Sequence, residues 1–201
     1  MSYYAQFVPH GGAVFRMDTK IYLNGSPSSQ GDGQCVAAIV GKNPGSASAG
    51  VVSAGWGSLV EDNTLRYIGN RFRNAYQIVK RPIPELAYLQ VWNLFYLCGK
   101  DLDLAIKSFN SLPKTPAPPF CTSETAAHVP PIIWFAWGGH DSRLNDFKAR
   151  FLSRLPLPKH KFFYDNSKKI VVASVPTASC PARHPQGLPA ASVEKHLSAI
   201  L

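Results

Sequence analysis

Three short stretches of this 201-residue chain carry side chains able to act on a substrate: GKNPG at 41–45, Asn93 within VWNLF, and RHPQGL at 183–188. A carboxamide such as Asn43 can hold and aim a water molecule, but it cannot take the water's proton by charge. His184 titrates near neutrality and can donate a hydrogen bond where negative charge builds up. Asn93 offers a donor and an acceptor together, which suits a polar ligand edge.

Other chemistries fit less well. GKNPGSASAG (41–50) lacks the Lys-Ser/Thr pair that closes a phosphate-cradling loop, which excludes a nucleotide triphosphatase of that type. No serine there is flanked as G-x-S-x-G, so it is not a nucleophile elbow. What remains is a tight turn presenting Asn43 and the backbone of Pro44 and Gly45; an ordinary strand-to-loop turn would read the same way. His184, followed by rigid Pro185, then Gln186 and permissive Gly187, could equally be an ordinary surface or core histidine. Leu188, on a glycine-hinged loop beside Arg183, has the character of an apolar wedge that parts stacked bases. Trp56 and Phe95 are candidates for a stacking face, with core packing as the alternative for each.

The elements that must position these residues follow from hydrophobic pattern. Short apolar runs at 35–41 (CVAAIVG), 88–95 (YLQVWNLF), 131–138 (PIIWFAWG) and 169–175 (KIVVASV) read as four strands buried on both faces. Helical spacing marks 62–79, with Asp62 or Asn63 as N-cap, then 101–112, 141–155 and 191–201. Residues 1–33 read as an irregular extension in which 15–23 could supply a strand or two, and 24–33 as a mobile loop. Residues 113–131 read as a proline-rich insertion. Strands alternating with helices imply an α/β fold, a three-layer sandwich whose central, mainly parallel four-stranded sheet is flanked by helices, in one domain over 1–201. In such a sheet functional loops lie beyond the carboxyl ends of the strands. That rule gathers GKNPG, Asn93, WGGH and ARHPQGL on one edge.

Composition sets the partner class. Twenty-one Lys and Arg against twelve Asp and Glu give +9, which favours a polyanion because basic side chains displace phosphate counterions. Hydrophobic residues at 45% can form a core. No apolar run reaches the ~20 residues of a membrane span, and the start has no secretory pattern, so an intracellular, cytoplasmic location without membrane attachment is expected. Cys35, Cys98, Cys121 and Cys180 lie far apart with no C-x-x-C, so neither a metal site nor a disulfide framework is expected.

The motifs now combine into a resemblance. GKNPGSASAG resembles the G-x-N-P-G motif of the mismatch-specific branch of the uracil-DNA glycosylase superfamily. NRFRNAYQIV (70–79) is similar to that branch's N-R-F-W helix, and HPQGLPAASVEKHL (184–197) to its H-P-S-P-L or N-P-S-G-L loop and following helix. VWNLF and WFAWG fall, in order, where the superfamily has its base-reading asparagine strand and its L-x-W-G strand. The likeness covers 35–201, with gaps at 45–62 and 110–130.

The resemblance implies a monofunctional glycosylase acting on double-stranded DNA, as a monomer and without a cofactor. Asn43 would orient the water and His184 would donate to the pyrimidine O2. Gly41, Lys42, Pro44, Gly45, Trp56, Asn93 and Phe95 would surround the flipped base, with Asn93 on its Watson–Crick edge and the Lys42 side chain turned away, so that no Schiff base forms. Arg183, Pro185, Gln186, Gly187 and Leu188 would meet the duplex. Strict uracil enzymes carry a tyrosine where this chain has Gly45, so the pocket is expected to admit a group at C5. The expected substrates are therefore a mismatched thymine or uracil in repair, or a 5-substituted pyrimidine such as glucosylated hydroxymethylcytosine of viral DNA in defence. Two alternatives stand beside this: a non-catalytic DNA-binding relative, and an enzyme of free nucleosides.

Overall fold

The structure is a computed structural model that describes residues 1–45, 55–125, 129–154 and 158–201. Residues 46–50 of the GKNPGSASAG stretch and Leu155, at the end of the helix expected over 141–155, lie outside those residues. The fold is α/β, and the described residues form a mixed eight-stranded sheet in the order β4-β1-β2-β5-β3-β6-β7-β8 and four α-helices. Its strands are β1 (Ser2–His10), β2 (Ala13–Tyr22), β3 (Gln34–Gly41), β4 (Gly55–Ser58), β5 (Ala87–Asn93), β6 (Ile132–Phe135), β7 (His160–Asp165) and β8 (Ile170–Val172). The helices are α1 (Asn63–Ile78), α2 (Leu102–Ser111), α3 (Asn145–Arg154) and α4 (Ala190–Ile200).

Four central strands, β5-β3-β6-β7, run parallel, and antiparallel strands extend the sheet at both edges. Side chains that alternate along β6 show why both faces must be covered. Ile132, Trp134 and Ala136 enter one core with α1 and α4, while Ile133, Phe135 and Trp137 enter a second with α2 and α3. Asp62 starts α1 by accepting from the Leu65 N–H at 2.7 Å, and Leu65, Ile68, Phe72, Ala75 and Tyr76 form its buried stripe.

Three expectations need correction. The four-stranded sheet is the centre of a larger one, because residues 1–33 are not a mere extension. Gly11 and Gly12, both at positive φ, turn β1 back on β2, and Thr19–Tyr22 of β2 pair with Tyr88–Val91 of β5. The fourth parallel strand is HKFFYD in β7, whose Phe162 and Phe163 fill the two cores, and KIVVASV supplies only the short antiparallel edge strand β8. The 113–131 stretch includes a 3-10 turn at Thr122–Thr125 and buries Cys121 and Glu124 against the second core. There Glu124 accepts from Tyr96 Oη and from Arg150.

Phe72, fully buried between α1 and the sheet, tests the first core. Phe72→Ala is expected to lower the unfolding free energy by about 3–5 kcal/mol, read from the denaturant midpoint.

Candidate active site

Beyond the carboxyl ends of β3 and β5 lies a cleft of about 560 Å³. Its wall contains Gly41, Lys42, Asn43, Pro44, Gly45, Asn93, His184, Pro185 and Gln186, so three strand-end segments expected to converge do so. The chain builds this convergence by extending the β3–β5 pairing past the sheet. Leu94 N–H donates to the carbonyls of Gly41 and Lys42 at 3.1 Å each, and Gly99 N–H donates to the Gly45 carbonyl at 3.0 Å. Asn43 Nδ2 donates to the Gly99 carbonyl at 2.8 Å. That bond fixes the carboxamide's orientation and leaves Oδ1 as its acceptor.

Asn93 is only 3% exposed, and its Nδ2 has no hydrogen-bond partner. A buried unpaired amide donor costs free energy, so its retention at the cleft wall marks a place for a ligand acceptor. Gly41 makes the arrangement possible: a Cβ there would lie 2.8 Å from Asn93 Oδ1.

His184 reaches the cleft without following a parallel strand. Ala182 bridges to Asp165 at the end of β7, Arg183 N–H donates to Tyr164, and Gly138 N–H beyond β6 donates to Ala182 at 2.7 Å. The Gln186 N–H donates to His184 Nδ1 at 3.3 Å, so Nδ1 is the acceptor nitrogen and Nε2 carries the proton. Burial and, after it, the nearby Lys42 ammonium push the imidazole pKa below its ordinary value, while Asp62 acts in the opposite direction. His184 is thereby held as a neutral donor.

Four residues occupy places other than those expected. Trp56 sits on the edge strand β4, stacked on Tyr4 with ring centroids 5.4 Å apart, and does not line the cleft. Phe95 is fully buried among Phe109 and Phe147 in the second core. Leu188 is 5% exposed in the first core, and its carbonyl accepts from Tyr67 Oη at 3.0 Å. Pro185 to Leu188 is a turn closed by a 3.1 Å hydrogen bond with Gly187 at φ +76°, which shows Gln186 and Gly187 to solvent and turns Leu188 inward. Lys42, expected to turn away, lines the cleft, with its amine close to where a Cβ on Gly138 would stand. Arg183 bonds Asn166 and the Gly187 carbonyl, bracing the turn.

Sequence reasoning missed Arg16, Lys100 and the cleft position of Asp62. Arg16, on β2, is buried, lines the cleft and donates to the Pro44 carbonyl. Asp62 was read as a cap alone, yet it also lines the cleft. Gly138, at φ +86°, lies against Lys42 and His184. WGGH, expected on the same edge, contributes no residue to the cleft wall, and nothing in the local pattern announced Arg16. A second groove, lined by Arg66, Tyr67, Asn70, Arg71 and Gly187, adjoins the cleft through Asn63 and Gln186.

Comparison with protein-family models, with curated proteins and with solved structures finds no match to this chain. Among the described residues no His, Cys, Asp and Glu cluster is arranged to hold a metal ion, and no helix is long and apolar enough to cross a membrane.

The His184 environment yields a direct test. Its NMR titration midpoint is expected below the ordinary imidazole value, with Nε2 protonated in the neutral form; a midpoint at or above it would contradict the geometry. Because the folded pKa is lowered, this group opposes folding as pH falls from the ordinary imidazole value toward the folded one.

Proposed function

We propose that this chain is a DNA glycosylase, which accepts a pyrimidine nucleotide flipped out of duplex DNA and hydrolyses its N-glycosidic bond. The observation that carries the reading is the convergence of Asn43, Asn93 and His184 on one cleft, with Asn93 Nδ2 buried and unpaired. Each then has a task suited to its geometry. Asn93 donates to an acceptor on the base's Watson–Crick edge. His184 Nε2–H donates to O2, where negative charge grows as the bond from C1′ to the base breaks. Asn43 Oδ1 accepts from the water and aims it at C1′. The charge of +9 suits a phosphate backbone.

Gly45 supports the broader substrate range. It lines the cleft at φ +66°, and a Cβ built on it would meet no atom of the described residues within 4 Å. Space there accommodates a group on pyrimidine C5, which favours mismatched thymine or a 5-substituted cytosine over uracil alone. Repair serves the first substrate and defence against modified viral DNA the second.

The test is a glycosylase assay on labelled duplexes carrying uracil, thymine opposite guanine, 5-hydroxymethylcytosine or its glucosylated form, with alkali to reveal abasic sites. Alkali-labile cleavage of a 5-substituted duplex is expected, falling at least about 100-fold in Asn43→Ala. Silence on every duplex with salt-dependent binding retained would select a non-catalytic DNA-binding protein instead.

With Leu188 buried, the exposed Gln186 is the side chain placed to enter the base stack. Gln186→Ala is expected to reduce duplex cleavage about tenfold while leaving single-stranded substrate little changed. Equal losses on both substrates would count against an inserting role.

A further inference from the structure

We propose that Asp62 is the general base of this cleft, taking the proton of the water that Asn43 positions. The inference rests on the glycosylase reading and deepens it. A carboxamide can aim a water but cannot remove its proton, so Asn43 leaves half of the hydrolytic step without an agent. Among the described residues lining the cleft, Asp62 is the one with a carboxylate, set against the cationic side chains of Arg16, Lys42 and Lys100.

Its geometry suits the task. The backbone at Asp62 is extended, and Oδ1 is held by the Leu65 N–H at 2.7 Å. The carboxylate is therefore fixed in direction, and Oδ2 remains to accept from a water. Its charge acts on both His184 and Arg16, which lie on other parts of the same wall. A cap alone would need neither the cleft position nor the negative charge, because Asn or Ser caps a helix about as well.

The step balances as follows. The C1′–N bond breaks and its electron pair leaves with the pyrimidine, stabilised at O2 by His184 Nε2–H. The water oxygen bonds to C1′, and its proton passes to the Asp62 carboxylate. The released base then takes up a proton from that carboxyl or from solvent. While C1′ is electron-poor, the same carboxylate offsets the repulsion from Arg16, Lys42 and Lys100.

Asp62→Asn isolates the charge, since asparagine keeps both the cap and the volume. The full-length protein would be compared with wild type on whichever duplex the panel shows to be cut, by single-turnover rate. Affinity would be measured on a duplex carrying a 2′-fluoro nucleotide that resists cleavage, and folding by thermal melting. The expected result is a rate about 10²–10³-fold lower with affinity and melting temperature unchanged, and partial recovery in Asp62→Glu. A rate within about threefold of wild type would overturn the role of Asp62 while leaving the glycosylase reading intact. A rate loss matched by lost affinity or a lowered melting temperature would overturn it in favour of a structural cap. If wild-type protein cuts no duplex, the glycosylase reading falls and this inference with it.

Discussion

The close approach of β3 and β5 at their carboxyl ends governs the site. Gly41 stands opposite Asn93 in the parallel register, and only the absence of a side chain at Gly41 lets the Asn93 carboxamide occupy that space. Past this point the two chains part, yet they stay tied by Leu94, Asn43 and Gly99. The result is a rigid fork whose tines carry Asn43 and Asn93. Two other contributors to the cleft are braced against it: Arg16 from β2 through the Pro44 carbonyl, and the His184 segment through Gly138.

Electrostatics gives the cleft a particular character. Arg16, Lys42 and Lys100 make it a place where an anion is welcome, which fits both a phosphate backbone and a departing pyrimidine anion. The same cations would repel the electron-poor sugar that such a departure leaves behind. A single carboxylate at the start of α1 answers that conflict without neutralising the whole wall. His184, kept neutral by burial and Lys42, adds a donor without adding another charge.

How much of this was legible depends on whether a residue's surroundings are local. The apolar stripe of α1 and the run CVAAIVG declare themselves, because each is buried for reasons visible within a few residues. The convergence of GKNPG and Asn93 followed from the rule for parallel sheets, whereas the 183–188 loop reaches the same cleft without following a parallel strand. β1 alternates cleanly at Tyr3, Ala5 and Phe7 before a glycine pair, so its hairpin is legible from local pattern alone. β2 was legible as a strand over 15–23, but not its place inside the sheet: Arg16, Asp18 and Lys20 are charged yet buried, and their partners lie far along the chain. KIVVASV drew attention by its β-branched residues, although Ile170 at the sheet edge is half exposed. Leu188 looked exposed because the turn that folds it inward is set by Gly187 and by Tyr67, which lies on α1.

The distribution of the site along the chain bears on when it can exist at all. Arg16 comes from the hairpin near the amino terminus, and His184 from the loop before the last helix. Contacts between such distant segments close large loops and form late in folding. During synthesis the fork of β3 and β5 can assemble early, but its wall stays incomplete until the closing segment has left the ribosome. A partly made chain would therefore be able to gather a core before the cleft has its full wall, which is complete only once the 183–188 loop can dock.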